Sequence, residues 1–164
     1  MLKAVGAKHI LLNTMPDIGR TPLSVLVGSD AAALLTRNSV SYRNALFSAI
    51  DAQSLTAQNV SSVNVTTEST AVPSAQFAVV DAFLGMDVIF RQPEAYGFAE
   101  ETLNVNCARG FSSTENLFSI PQGICADPDS YFFWDLLHPT RVVHSLFAQI
   151  AASSLLKTGW ISRR

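Results

Sequence analysis

Two short apolar runs constrain this chain more than any other feature. Residues 7–13 (AKHILLN) and 76–81 (QFAVVD) have strand length, and each leads into a stretch with helical spacing. From Asp30 to about Leu55, Leu34, Leu35, Val40, Leu46, Phe47 and Ile50 recur at roughly helical intervals, with Asn, Ser and Arg filling the other face. That pattern predicts a long amphipathic helix, interrupted near Ser39, with Ser29 or Asp30 as its N-cap. Strand, helix, strand is the alternation of an α/β domain with a parallel sheet.

The remaining segments fit the same plan. Residues 14–22 (TMPDIGRTP) are dense in Pro and Gly and read as a loop. Residues 24–28 are apolar and ambiguous between strand and loop. The Ser/Thr/Asn/Val-rich stretch 58–74 has no helical period; it reads as a loop or as one weak strand at 63–67. It carries two N-x-[ST] sequons, at Asn59 and Asn64, relevant only in a eukaryotic secretory pathway. Residues 82–92 predict a helix with Phe83, Met86, Val88, Ile89 and Phe90 largely buried, stopped by Pro93. Residues 104–130 read as loop. The clearest helix is 139–157, with Pro139 in its first turn and a stripe of Val142, Leu146, Phe147, Ile150, Ala151 and Leu155. No internal repeat or linker divides residues 1–164, so they form one domain unit.

Composition excludes several classes. A 48% hydrophobic and 15% charged chain of 164 residues is too apolar for disorder and long enough for a real core. The formal net charge of −2 lacks the clustered basic surplus of a nucleic-acid binder. No apolar run has the length of a transmembrane span, and the first residues do not read as a signal peptide. His9, His138 and His144 are scattered, so no metal or cofactor is expected. Cys107 and Cys125 flank a polar, turn-rich stretch. They are either two buried thiols or a disulfide, which would add about 3 kcal/mol in the chain-entropy account.

The chemistry concentrates at Trp134-Asp135-Leu136-Leu137-His138-Pro139. An Asp three residues before a His can set its carboxylate beside the imidazole. In a nucleophilic hydrolase the His takes a serine proton and later protonates the leaving group. The Asp fixes the tautomer and stabilises the charged ring. A plainer reading has Asp135 capping the helix entry and His138 packing. A second candidate is Ser29: residues 24–35 could be drawn as strand, tight turn and helix, a nucleophile elbow completing a Ser29–Asp135–His138 triad. Against it, Ser29 or Asp30 can simply cap the following helix.

Several blocks in one order point further. Residues 125–140 (CADPDSYFFWDLLHPT) resemble the last block of the GDSL, or SGNH, lipase/esterase family. Residues 6–22 are similar to that family's fourth strand and its Pro-x-x-Gly-x-Thr-Pro loop. Tyr42-Arg43-Asn44-Ala45-Leu46 is similar to its Tyr-Asn-x-x-Leu helix. Asp81, then Pro93-Glu94-Ala95-Tyr96-Gly97-Phe98, then Cys107 follow its Asp-Pro-Tyr-Gly-Phe-Cys succession. The resemblance spans about residues 6–156. It implies a flavodoxin-like three-layer α/β fold with a parallel sheet. It implies hydrolysis of carboxylic esters (lipid, acyl or acetyl) through an acyl-enzyme, with Asp135 and His138 as the acid–base pair. It also implies a Cys107–Cys125 disulfide and a secreted parent protein.

The resemblance also has a gap. The family's nucleophile sits in a Gly-Asp-Ser motif, and two oxyanion donors lie in the next blocks, all ahead of the Pro-x-x-Gly-x-Thr-Pro loop. This sequence contains neither Gly-Asp-Ser nor Gly-x-Asn-Asp. The expectation is therefore the C-terminal half of a hydrolase domain of roughly 250–300 residues, with the N-terminal strands missing and little activity alone. Its exposed sheet edge would favour self-association. A non-catalytic α/β module that binds a ligand or protein is the alternative.

Overall fold

The computed structural model describes residues 2–60, 76–111 and 120–162. Its elements, in order, are β1 (His9–Asn13), α1 (Pro22–Val27), α2 (Ser29–Val60), β2 (Gln76–Val80), α3 (Ala82–Arg91), β3 (Ala108–Arg109), β4 (Gly123–Ile124) and α4 (Arg141–Lys157). Short 3-10 turns join several of them. The strands β1 and β2 pair in parallel from His9 with Gln76 to Asn13 with Val80. A helical crossover connects them, as the sequence alternation predicts, and the class is α/β. No helix among the described residues is long and apolar enough to cross a membrane.

The crossover departs from expectation at three places. Residues 24–28 are neither strand nor loop: α1 starts with Pro22 as its first residue and Thr21 before it. Pro fits that position because its missing amide would have no helical acceptor. The Ser24 hydroxyl donates back to the Thr21 carbonyl at 2.6 Å and tightens the turn. Gly28, at φ 85, then turns the chain directly into α2. That helix runs unbroken through Ser39 and extends to Val60. Ser39 is fully buried, and its hydroxyl donates to the Leu35 carbonyl at 3.1 Å while accepting from the Ile18 amide at 3.2 Å. A serine satisfied inside its own helix does not break it. The candidate strand at 63–67 lies outside the described residues, as do the sequon at 64–66 and the serine of the sequon at 59–61.

The loop at 14–22 is fastened to α2. The Asp17 carboxylate accepts from the Thr36 hydroxyl at 2.7 Å and from the Gly19 amide at 3.1 Å. Gly19 sits against α2 so closely that an added Cβ would lie 2.2 Å from the Ala32 carbonyl oxygen. Only glycine allows that approach. On its other side Arg20 pairs with Asp87 of α3 at 3.1 Å and lies over the Phe90 ring.

The core lies between α3, the segment after it and the approach to α4. Met86, Ile89, Phe98, Leu103, Phe132, Phe133 and Val143 are all buried there. Phe90 meets Phe132 edge-on at 5.0 Å, an arrangement aromatic pairs favour. In α3 the expected face is buried at Met86 and Ile89, but Val88 points outward and is 40% exposed. Residues 104–130 are not wholly loop. The strands β3 and β4 form a short antiparallel ladder beside a Cys107–Cys125 disulfide. The last helix starts at Arg141, two residues later than Pro139. Pro139 instead pairs with Phe133, and the Thr140 amide donates to the Phe132 carbonyl at 2.9 Å.

One ion pair links the crossover to the end of the sheet. The Arg43 guanidinium grips the Asp81 carboxylate, Nε at 2.9 Å and Nη2 at 2.5 Å from Oδ2. The other carboxylate oxygen accepts from the Thr14 hydroxyl at 3.1 Å and the Leu84 amide at 3.2 Å. Asp81 thereby caps α3 and ties together the strand ends and α2. Burial pushes its carboxyl up. The bonds from Arg43, Leu84 and Thr14, with the Arg43 charge, outweigh burial and hold it below the usual carboxylate range. A carboxyl lowered on folding contributes stability at neutral pH that is lost as pH falls through its folded value. Urea titrations from pH 7 down to pH 3 are therefore expected to show falling stability. Asp81→Asn is expected to cost about 2 kcal/mol at pH 7 and to flatten that dependence. An unchanged pH slope in the variant would remove Asp81 from this role.

Candidate active site

The turn that carries Asp135 and His138 is built on the buried Phe132-Phe133 pair. Phe132, Phe133 and Leu136 are each 2% exposed, so three apolar anchors fix a polar turn on the core. Its base is a narrow hairpin. Phe133 pairs with Pro139, and the Trp134 amide donates to the His138 carbonyl at 2.8 Å. Beside it, the Cys107 amide donates to the Phe133 carbonyl at 3.0 Å, and the Ala108 amide to the Trp134 carbonyl at 2.7 Å. The disulfide holds that supporting strand to Cys125, whose amide donates to the Cys107 carbonyl at 2.9 Å. The turn also touches the crossover, where the Leu23 amide donates to the Leu136 carbonyl at 3.0 Å.

Within the turn, the Asp135 carboxylate organises everything. Its Oδ1 accepts from the Leu137 amide at 2.8 Å and the His138 amide at 2.7 Å. A carboxylate that accepts amides two and three residues onward is locked to its own backbone. With the carboxylate fixed, the ring of His138 follows. Its Nδ1 lies 2.8 Å from Oδ2 and 3.0 Å from Oδ1. A carboxylate can only accept, so Nδ1 carries a proton, and in the neutral ring Nε2 keeps its lone pair. The Asp135 side chain is 17% exposed, and that of His138 is 69% exposed. A covered carboxylate therefore orients an open imidazole. Chemically, such a pair can take a proton from a hydroxyl brought to it and return that proton to a leaving group.

The other candidate residues divide clearly. Cys107 and Cys125, left open between thiols and a bridge by their spacing, are bonded to each other. Ser29 is exposed at the start of α2. The strand required ahead of it is the helix α1, so the strand–turn–helix geometry of a nucleophile elbow is not formed. His9 stacks on Trp160 with ring centroids 4.6 Å apart, and His144 is exposed on α4. Among the described residues no cluster of three His, Cys, Asp or Glu could hold a metal ion. Two parts of the arrangement are not announced by any motif: the Leu23 amide on Leu136, and the Arg43–Asp81 pair behind the sheet end. The first is a backbone contact between distant segments. The second joins an Arg inside a helix face to an Asp at a strand end, and only the fold brings them together.

No protein-family model matches the chain. Individual curated proteins do. The GDSL esterase/lipase At5g45950 of Arabidopsis thaliana is 23% identical over 155 residues, covering 94% of this chain and 39% of that protein. The GDSL esterase/lipase At5g22810 of the same plant is 26% identical over 163 residues, covering 96% of this chain and 40% of its own length. The anther-specific proline-rich protein APG, also from Arabidopsis thaliana, is 30% identical over 89 residues, 54% of this chain and 16% of that protein. The chain thus spans at most about two fifths of the length of these relatives. Low identity sustained along most of the chain, in more than one protein of the same description, relates it to the GDSL esterase/lipases.

Proposed function

We propose that this chain is the C-terminal part of a serine ester hydrolase domain of the SGNH type, in which Asp135 and His138 form the acid–base pair. The observation that carries this reading is the bond from His138 Nδ1 to Asp135, 2.8 Å from Oδ2, made by a ring that is otherwise open to solvent. In the proposed reaction His138 Nε2 takes the proton of a serine hydroxyl as that oxygen attacks the ester carbonyl. The same proton then passes to the departing alkoxide, leaving an acyl-enzyme. Water, deprotonated by His138, releases the acid. Asp135 stabilises the imidazolium in both steps. The serine and most oxyanion donors would come from polypeptide outside these 164 residues, and the substrate would be a lipid, acyl or acetyl ester.

The full domain in this reading is a flavodoxin-like three-layer sandwich. Its support is the parallel β1–β2 pair with its helical crossover. Parallel sheets are ordinarily covered on both faces and extended by further strands. Here β1 has β2 as its sole neighbour among the described residues, and its Leu11 is 44% exposed. That free edge is the proposed route to self-association when the chain is alone. The disulfide supports passage through an oxidising compartment, in line with a secreted parent.

Two experiments test these points. A serine-directed fluorophosphonate probe is expected to leave this chain unlabelled and to label a version extended upstream through a Gly-Asp-Ser segment. Neither Ser29→Ala nor its wild-type counterpart should turn over p-nitrophenyl butyrate above background. Labelling of the present chain that disappears in Ser29→Ala would overturn the proposal, and an extended protein without a reactive serine would favour a binding module. Sedimentation velocity is expected to show concentration-dependent association that Leu11→Lys reduces. A monodisperse monomer at all concentrations would exclude the edge as an interface.

A further inference from the structure

The Asp135–His138 turn is secured at its base and at its tip by different parts of the chain. At the base, Phe133 and Trp134 accept from the Cys107 and Ala108 amides. At the tip, the bond from Leu23 to the Leu136 carbonyl, 3.0 Å long, reaches across from the crossover. We propose that the Leu23 amide, presented at the start of α1 by the 14–22 loop, is a positioning group for His138. The inference rests on the reading of Asp135 and His138 as the acid–base pair, but its test does not require turnover.

Three observations give the Leu23 amide this role. It lies in the first turn of α1, where amides have no acceptor within the helix. It is therefore free to donate outward, and the Leu136 carbonyl is its acceptor. The turn that presents it is rigid. Pro22 fixes the backbone at the helix start and is buried, and the Thr21 hydroxyl donates to the Ile18 carbonyl at 2.7 Å. The loop behind that turn is held to α2 through Asp17, Thr36 and Gly19, and to α3 through Arg20 and Asp87. A continuous set of contacts therefore runs from two helices, through Leu23, to Leu136, which follows Asp135 in the turn.

The consequence for chemistry is specific. Asp135 selects the Nδ1–H tautomer of His138 only while its carboxylate stays beside the ring. Without that bond the turn tip is held only by the buried Leu136 side chain and the Trp134–His138 base, and it loosens. The ring then spends more time away from the carboxylate and reverts toward the tautomer mixture of free imidazole. His144, exposed on α4, is the internal reference, since it takes no part in the turn.

The test replaces the Leu23 N–H with an ester oxygen, using leucic acid at position 23, and independently uses Leu23→Pro. Both remove the donor. Both proteins are followed by circular dichroism for folding and by ring-nitrogen NMR with 15N-labelled histidine. The expected result is a folded protein in which the His138 Nδ1–H fraction falls, while the His144 ring signals are unchanged. Should Leu23→Pro fail to fold, the ester variant decides, because it keeps the side chain and shape. A folded ester variant with the His138 tautomer population of the parent overturns the inference. Failure of the hydrolase reading is seen separately, as an extended protein that no serine probe labels.

Discussion

Everything proposed for this chain depends on one carboxylate being held still. Asp135 accepts two amides from its own turn before it meets the imidazole, so its orientation is set by backbone rather than by the ring it serves. An aspartate free to rotate would pair with an exposed histidine only part of the time, since surface pairs gain little over water. The His138 ring is open to solvent, and the local order around Asp135 is what makes the pair more than a passing contact.

That order is supported in layers. Phe132, Phe133 and Leu136 sink the turn into the aromatic core, while a disulfide-linked ladder lies along its base. The crossover reaches the tip through Leu23. At the start of α3, Asp81 joins Arg43, Thr14 and the Leu84 amide into a second fixed point. The core and the turn are well anchored, whereas β1 and much of α4 show partly open apolar surface.

Some of this is legible in the sequence, and the rest is hidden for physical reasons. Short-range features read well. The strands β1 and β2, the helix α3, and the Asp135–His138 pair follow from local periodicity or from spacing within one turn. The run at 24–28 misleads because Val25 and Val27 suit a strand, yet the Pro22 start and the Ser24 back-bond favour a helix. Ser39 suggests an interruption because serine competes for backbone bonds, but buried against the 14–22 loop it finds partners without leaving the helix. The start of α4 is displaced from Pro139 because tertiary pairing with Phe133 outweighs proline's preference for a first turn. Contacts between distant segments, such as Arg43 with Asp81 or Leu23 with Leu136, have no signature in a single sequence.

The central claim is that Asp135 orients His138 for acid–base work on an ester. The most direct measurement is kcat/KM for p-nitrophenyl butyrate in the upstream-extended protein carrying Asp135→Asn. The substitution keeps the shape of the side chain while removing the charge that selects the tautomer. The account predicts a loss of about 10⁴-fold with thermal stability little changed. An extended protein that hydrolyses the ester as fast with the substitution as without it would contradict the account.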